Sequence, residues 1–143
     1  MKLWETDPNK DIPLLSQHRF AGMTGATVDA EVAVYEAVYP VTILAAKVTF
    51  DAAVTGAATN NFAAAVNLYR AGSLVGSVAS LTFVLNTNAT KWVAVSLGAI
   101  SHAVLEIGDV LTVALTHNGT GIQAPAGVVT LDFRVPTFVD AGH

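Results

Sequence analysis

The sequence predicts an all-β protein, built as a single sandwich or barrel of about seven strands behind an extended N-terminal arm. Three observations point that way. From Thr27 onward apolar and polar residues alternate with a period of two, the mark of strands with one buried face. Turn-forming clusters punctuate these runs at the spacing of antiparallel sandwiches. The 143 residues include no cysteine, so one core of ordinary domain size must be held by burial and backbone pairing alone.

The leading segment differs in kind. Lys2, Glu5, Asp7, Lys10, Asp11 and Arg19 crowd charge into the first 19 positions, with Pro8 and Pro13 among them and no period of 2 or 3.6. Residues 1–19 are therefore expected to form an extended arm, ordered on a neighbour if at all, with the sandwich domain over 20–143. Trp4, Ile12, Leu14, Leu15 and Phe20 are the candidate partner-binding residues here, because a purely solvated tail seldom needs large apolar side chains.

The strands follow in order. Val28, Ala30, Val32 and Val34 share one face of a first run, with Asp29, Glu31 and Tyr35 on the other. After Pro40 a second run sets Leu44, Ala46, Val48, Phe50 and Ala52 inward against Lys47, Thr49 and Asp51. Phe62, Ala64, Val66 and Leu68 form the inner face of a third, closed at 71–73 by Ala-Gly-Ser as a hairpin would be. Residues 74–85 and 91–97 make the fourth and fifth. Segment 98–109 is irregular and is expected to be a loop, with one possible helical turn over 101–105. Leu111, Val113 and Leu115 mark the sixth run, ended by the turn signal Asn118 to Gly121, and Val129, Leu131, Phe133 and Val135 mark the last, stopped by Pro136. The Ala-rich pieces 52–58 and 63–65 are too short and too closely bounded by Thr, Asn and Gly to be read as helices. Phe50, Val66, Val113 and Phe133 are expected in the core.

Composition narrows the function. Only 13% of residues are charged while 52% are apolar, with a mean hydropathy of +0.52, against about 25% charged in a typical soluble domain. A net charge of −4 with scattered Lys and Arg offers no footprint for nucleic acid or an anionic membrane. No apolar run approaches the ~20 residues of a membrane span, and the start lacks the pattern of a secretory signal. Burial of the apolar excess between subunits is the better account.

Catalytic chemistry finds little footing. His18, His102, His117 and His143 are far apart, without the i, i+2 or i, i+4 spacing of metal sites. Asp29 and Glu31 share a strand face and read as solvated; Asp109, after Gly108, reads as a turn residue accepting backbone hydrogen bonds. No Gly-x-Ser-x-Gly elbow, phosphate-binding glycine loop or calcium loop occurs. The expectation is a chain that is not an enzyme and needs no metal or cofactor. An enzyme would require His102 or His117 to meet Asp109, Glu106 or another carboxylate in a pocket.

Several stretches together resemble small bacteriophage capsid decoration, or cement, proteins: residues 52–61, Leu-Tyr-Arg-Ala-Gly at 68–72, Glu-Ile-Gly-Asp-Val-Leu-Thr at 106–112, and Ala-Pro-Ala-Gly-Val-Val-Thr-Leu-Asp-Phe-Arg at 124–134. The resemblance covers roughly residues 38–135. It implies a jelly-roll-like antiparallel β-sandwich of about seven to eight strands. It further implies a structural virion protein, made in the host cytoplasm, that binds the major capsid protein on the capsid exterior and itself forms a homotrimer, bridging subunits. The arm lies outside it. The alternative expectation is a receptor- or carbohydrate-binding β-sandwich module of a phage fibre or tail, which would gather Tyr35, Tyr39, Tyr69 and Trp92 on one exposed face.

Overall fold

The computed structural model describes the backbone of residues 2–5 and 12–140 and the side chains of 12–136. Among these residues there is no helix, and two antiparallel sheets pack face to face. One sheet has the order β2 (Ile12–Phe20), β10 (Gly127–Val135), β4 (Val41–Phe50) and β7 (Val95–Ser96), with β8 (Val104–Leu105) also pairing with β4. The other runs β3 (Ala30–Glu36), β9 (Val110–Asn118), β5 (Asn61–Arg70) and β6 (Ser73–Thr82). The pairings are nested: β2 with β10, β3 with β9, β4 with β7, β5 with β6. A long hairpin wrapped round itself in this way is the jelly roll, which divides its strands between two sheets. Beyond it, β1 (Lys2–Glu5) pairs with β11 (Thr137–Asp140) as a two-stranded ribbon.

Alternation explains the best-formed strands. In β5, Phe62, Ala64, Val66 and Leu68 are buried, and in β10 Val129, Leu131 and Phe133 are; β9 contributes Leu111, Val113 and Leu115. Phe50, Val66, Val113 and Phe133 are no more than 2% exposed, as expected. At one end Phe50 meets Phe20, Phe62 and Phe83 edge-on at centroid distances of 6.1, 5.9 and 5.7 Å. This cluster joins both sheets. Gly127 sits between Phe20 and Phe50 in register; a Cβ there would collide with the Thr49 carbonyl oxygen, so the close approach requires glycine. The turn from β5 to β6 has positive φ at both central residues, Ala71 (51°) and Gly72 (77°), the two-residue geometry that suits the strand twist.

Besides the fifth run, of which only Val95–Ser96 pairs as a strand while residues 91–94 are exposed loop, three expectations need correction. Residues 12–19 are no arm: they form β2, in unbroken register with β10 from Ile12↔Val135 to Phe20↔Gly127. Pro13, Gln17, His18 and Arg19 are tolerated because β2 is an edge strand with one solvated face. Residues 6–11 lie outside the described residues. Second, the first run is not a simple alternation. The register of β3 shifts between Ala33 and Tyr35, so Val34 is buried while Tyr35 also turns inward onto Phe133, and Val28 and Val32 stay exposed. A similar shift in the pairing of β4 with β10 skips Leu44, which is exposed, and buries Ile43 instead. Third, 98–109 has no helical turn; Val104–Leu105 adds a short strand to β4.

Candidate functional site

Two of the carboxylates able to do acid–base chemistry, Asp29 and Asp109, are engaged in structural pairs. The His117 ring nitrogen Nδ1 lies 2.6 Å from Asp29 Oδ1, which also accepts the His117 backbone N–H at 2.9 Å. These bonds, the backbone one foremost, hold the Asp29 carboxyl below its ordinary pKa. The pair stands at the surface, 32% and 51% exposed, and clasps the segment before β3 to the end of β9. Sequence spacing gave no sign of it, since the partners are 88 residues apart. His102 packs instead against Gly76 of β6, and the His18 ring bonds to the Arg19 carbonyl. Among the described residues no group of three or more His, Cys, Asp or Glu is placed to hold a metal ion.

Asp109 is more than the turn residue expected. Its Oδ2 does accept the Glu106 N–H at 2.8 Å. The same carboxylate, 1% exposed, also takes a two-pronged bond from Arg70, with Nε at 2.9 Å from Oδ1 and Nη2 at 2.8 Å from Oδ2. Arg70 depresses the Asp109 pKa, and Asp109 raises that of Arg70. The pair ties the end of β5 to the loop before β9. Nearby, on the outer face of that sheet, Glu31 Oε2 accepts bonds from the Tyr69 hydroxyl and from Thr112, and the first of these raises the Tyr69 pKa.

The aromatic candidates do not gather. Tyr35 is half-buried, stacked on Phe133 at 4.5 Å, with burial pushing its hydroxyl pKa up. Tyr39 packs against the core, and Tyr69 lies on the opposite side of its sheet, bonded to Glu31. Trp92 alone is open to solvent, at 68%.

What the surface does offer is apolar area. Ile12 and Leu15 are exposed on β2, Val28 and Val32 at β3, Leu74 and Val75 on β6. The loop after β6 presents Val84, Leu85, Trp92 and Val93. Of the residues expected to bind a partner from the arm, Ile12 and Leu15 are available, 57% and 68% exposed. Leu14 and Phe20 serve the chain's own core. Trp4 lies in β1, in register with Phe138, and its side chain falls outside the described residues.

A cleft of about 160 Å³ opens where the edge strands β2 and β3 meet, floored by Phe20, Val113 and Leu115, with Ala30 and Val32 at its side and Arg19 and Glu31 among its lining. Its apolar character follows from the edge position: Val113 and Leu115 belong to the core face of β9, and neither β2 nor β3 has a further strand to extend the cover. A wider opening of about 400 Å³ lies over Ala52–Thr55 and Ile122–Pro125. Comparison of the chain with protein-family models, with curated proteins and with solved structures gives no match.

Proposed function

We propose that this chain is a structural virion protein that binds the outer surface of a phage capsid and cements it by bridging subunits, with the major capsid protein and further copies of itself, as a homotrimer, for partners. The observation that carries the reading is the spread of large apolar side chains over both edges and one end of the sandwich, on a chain with few charges. Where such side chains adjoin, as Leu74 with Val75 and Trp92 with Val93 do in the chain, they are the kind of surface that other proteins cover. Asp109 with Arg70, and Asp29 with His117, by contrast, tie one strand or loop to another. At about 25 cal/mol per Å², even a small footprint opposes shell expansion when repeated over many copies, after association costs are subtracted from each.

The fold by itself supports many functions, so the resemblance in residues 38–135 and the apolar surface bear the argument. A glycan- or receptor-binding module gains only from Trp92, since Tyr35, Tyr39 and Tyr69 are engaged elsewhere. The test is co-sedimentation of the purified chain with capsids lacking it. Saturation at a fixed ratio to the major capsid protein is expected; a chain left wholly in the supernatant would refute the reading.

A further inference from the structure

The turn after β9 carries the single Asn-Gly pair of the sequence, Asn118-Gly119. Both residues are imposed by their surroundings. Gly119 has a φ of +63°. A Cβ there would lie 2.9 Å from the Thr59 carbonyl oxygen and collide with the Asn60 side-chain oxygen, which is held by the Thr120 N–H at 3.0 Å. Any other residue at 119 would be strained on both counts.

Asn118 is fixed through Asn61, a side chain only 3% exposed. The Asn61 Nδ2 donates to the Ala57 carbonyl at 2.9 Å. That carbonyl can only accept, so the Asn61 amide has one workable orientation, with its Oδ1 towards Asn118. Asn118 Nδ2 donates to it at 2.8 Å. An aspartate at 118 would set a carboxylate, which only accepts, against that oxygen. Turning the Asn61 amide over would move the clash to Ala57.

The pair that the turn demands is also the one most open to self-modification. An asparagine is attacked at Cγ by the backbone nitrogen of the next residue, and a glycine there, lacking a Cβ, gives the chain the freedom that the approach needs. Asn118, Gly119 and Thr120 are exposed. The bonds that fix the turn are made by the Thr120 and Gly121 N–H groups, and the attacking nitrogen belongs to neither.

We infer that Asn118 is a deamidation site of the folded protein. The Gly119 nitrogen gives up its proton and bonds to Asn118 Cγ; the Cγ–Nδ2 bond breaks, and Nδ2 leaves as ammonia with that proton, closing a succinimide ring. Water then adds to one of the two ring carbonyls, which opens to aspartate or to isoaspartate. Either product adds a negative charge to a chain whose net charge is −4. Either also removes the donor that the buried Asn61 requires, so the end of β9 loses its side-chain tie to β5. The inference stands apart from the capsid reading.

The test incubates the full chain in mildly alkaline buffer beside a peptide of residues 114–123, with conversion located by peptide mapping and mass spectrometry. The peptide sets the rate of the free sequence. Releasing Asn118 from Asn61 costs one net hydrogen bond, so the folded chain should convert about two- to tenfold more slowly, at Asn118 ahead of every other asparagine. Conversion through the unfolded fraction alone would run about a thousandfold slower or worse. Asn118→Asp, which installs the product, should fold and melt several degrees below the parent. An Asn118 left intact after about ten peptide half-times, another asparagine converting first, or an Asn118→Asp variant that melts with the parent would each overturn the inference.

Discussion

Replacing Phe50 by Ala should remove the contact that joins the two sheets at the Phe20, Phe62 and Phe83 end. The ring is wholly buried. A Phe side chain covers about 150–250 Å², which at about 25 cal/mol per Å² corresponds to roughly 4–6 kcal/mol, less the share an Ala retains. Measured Phe→Ala losses in cores run at about 3–5 kcal/mol. Three edge-on aromatic neighbours and a closely packed Gly127 backbone leave little room for collapse, which places Phe50 near the upper end, about 4–5 kcal/mol. Against a total stability of about 5–15 kcal/mol, that is about a quarter or more of what holds the fold. Urea unfolding followed by circular dichroism is the assay: the midpoint should fall strongly while the slope stays unchanged. A loss under about 2 kcal/mol would refute the view that this cluster joins the sheets.

Two further outcomes follow from the site geometry. Asp109→Asn breaks the two-pronged bond with Arg70 and should cost about 1–3 kcal/mol at neutral pH, since Arg70 remains partly solvated. Because the folded-state pKa of Asp109 is depressed, its contribution is present above the carboxylate's unfolded value of about 3.9 and is lost as pH falls through the lower folded value. The stability difference between parent and variant, followed by urea unfolding from pH 7 to pH 2, should therefore shrink below about pH 4; a constant difference would contradict the pairing. Ala71→Asn should stabilise by about 0.5–1 kcal/mol, since Asn tolerates the positive φ of the first turn position better than Ala, and a lower melting temperature would refute the turn assignment.

The sequence made some strands legible and hid others for identifiable reasons. In β5, β9 and β10 the inward positions are apolar without interruption, and each strand is paired on both sides, so the period-two pattern carried through. In β3 and β4 the bulges near Val34 and Leu44 change the inward parity part-way, and a pattern read at constant period necessarily assigns one half wrongly. β2 was disguised by Pro13, Gln17, His18 and Arg19, which an edge strand accepts. The even positions Leu14 and Phe20 were the one signal of its inner face. The side-chain pairs were hidden differently. Arg70 and Asp109, or Asp29 and His117, meet only because β5, β9 and β3 are neighbours in a nested topology, and no local spacing encodes that. Trp92 was visible as an aromatic but not as an exposed one, because 91–97 reads as a strand whereas residues 90–94 form an exposed loop and only Val95–Ser96 pair.

The measurement that tests the central claim most directly is the temperature at which shells lose their contents, compared between capsids lacking this chain and the same capsids saturated with it. Cementing by bridged subunits predicts a clear upward shift that appears only as the sites fill. Saturated shells that open at the same temperature as bare ones would contradict it.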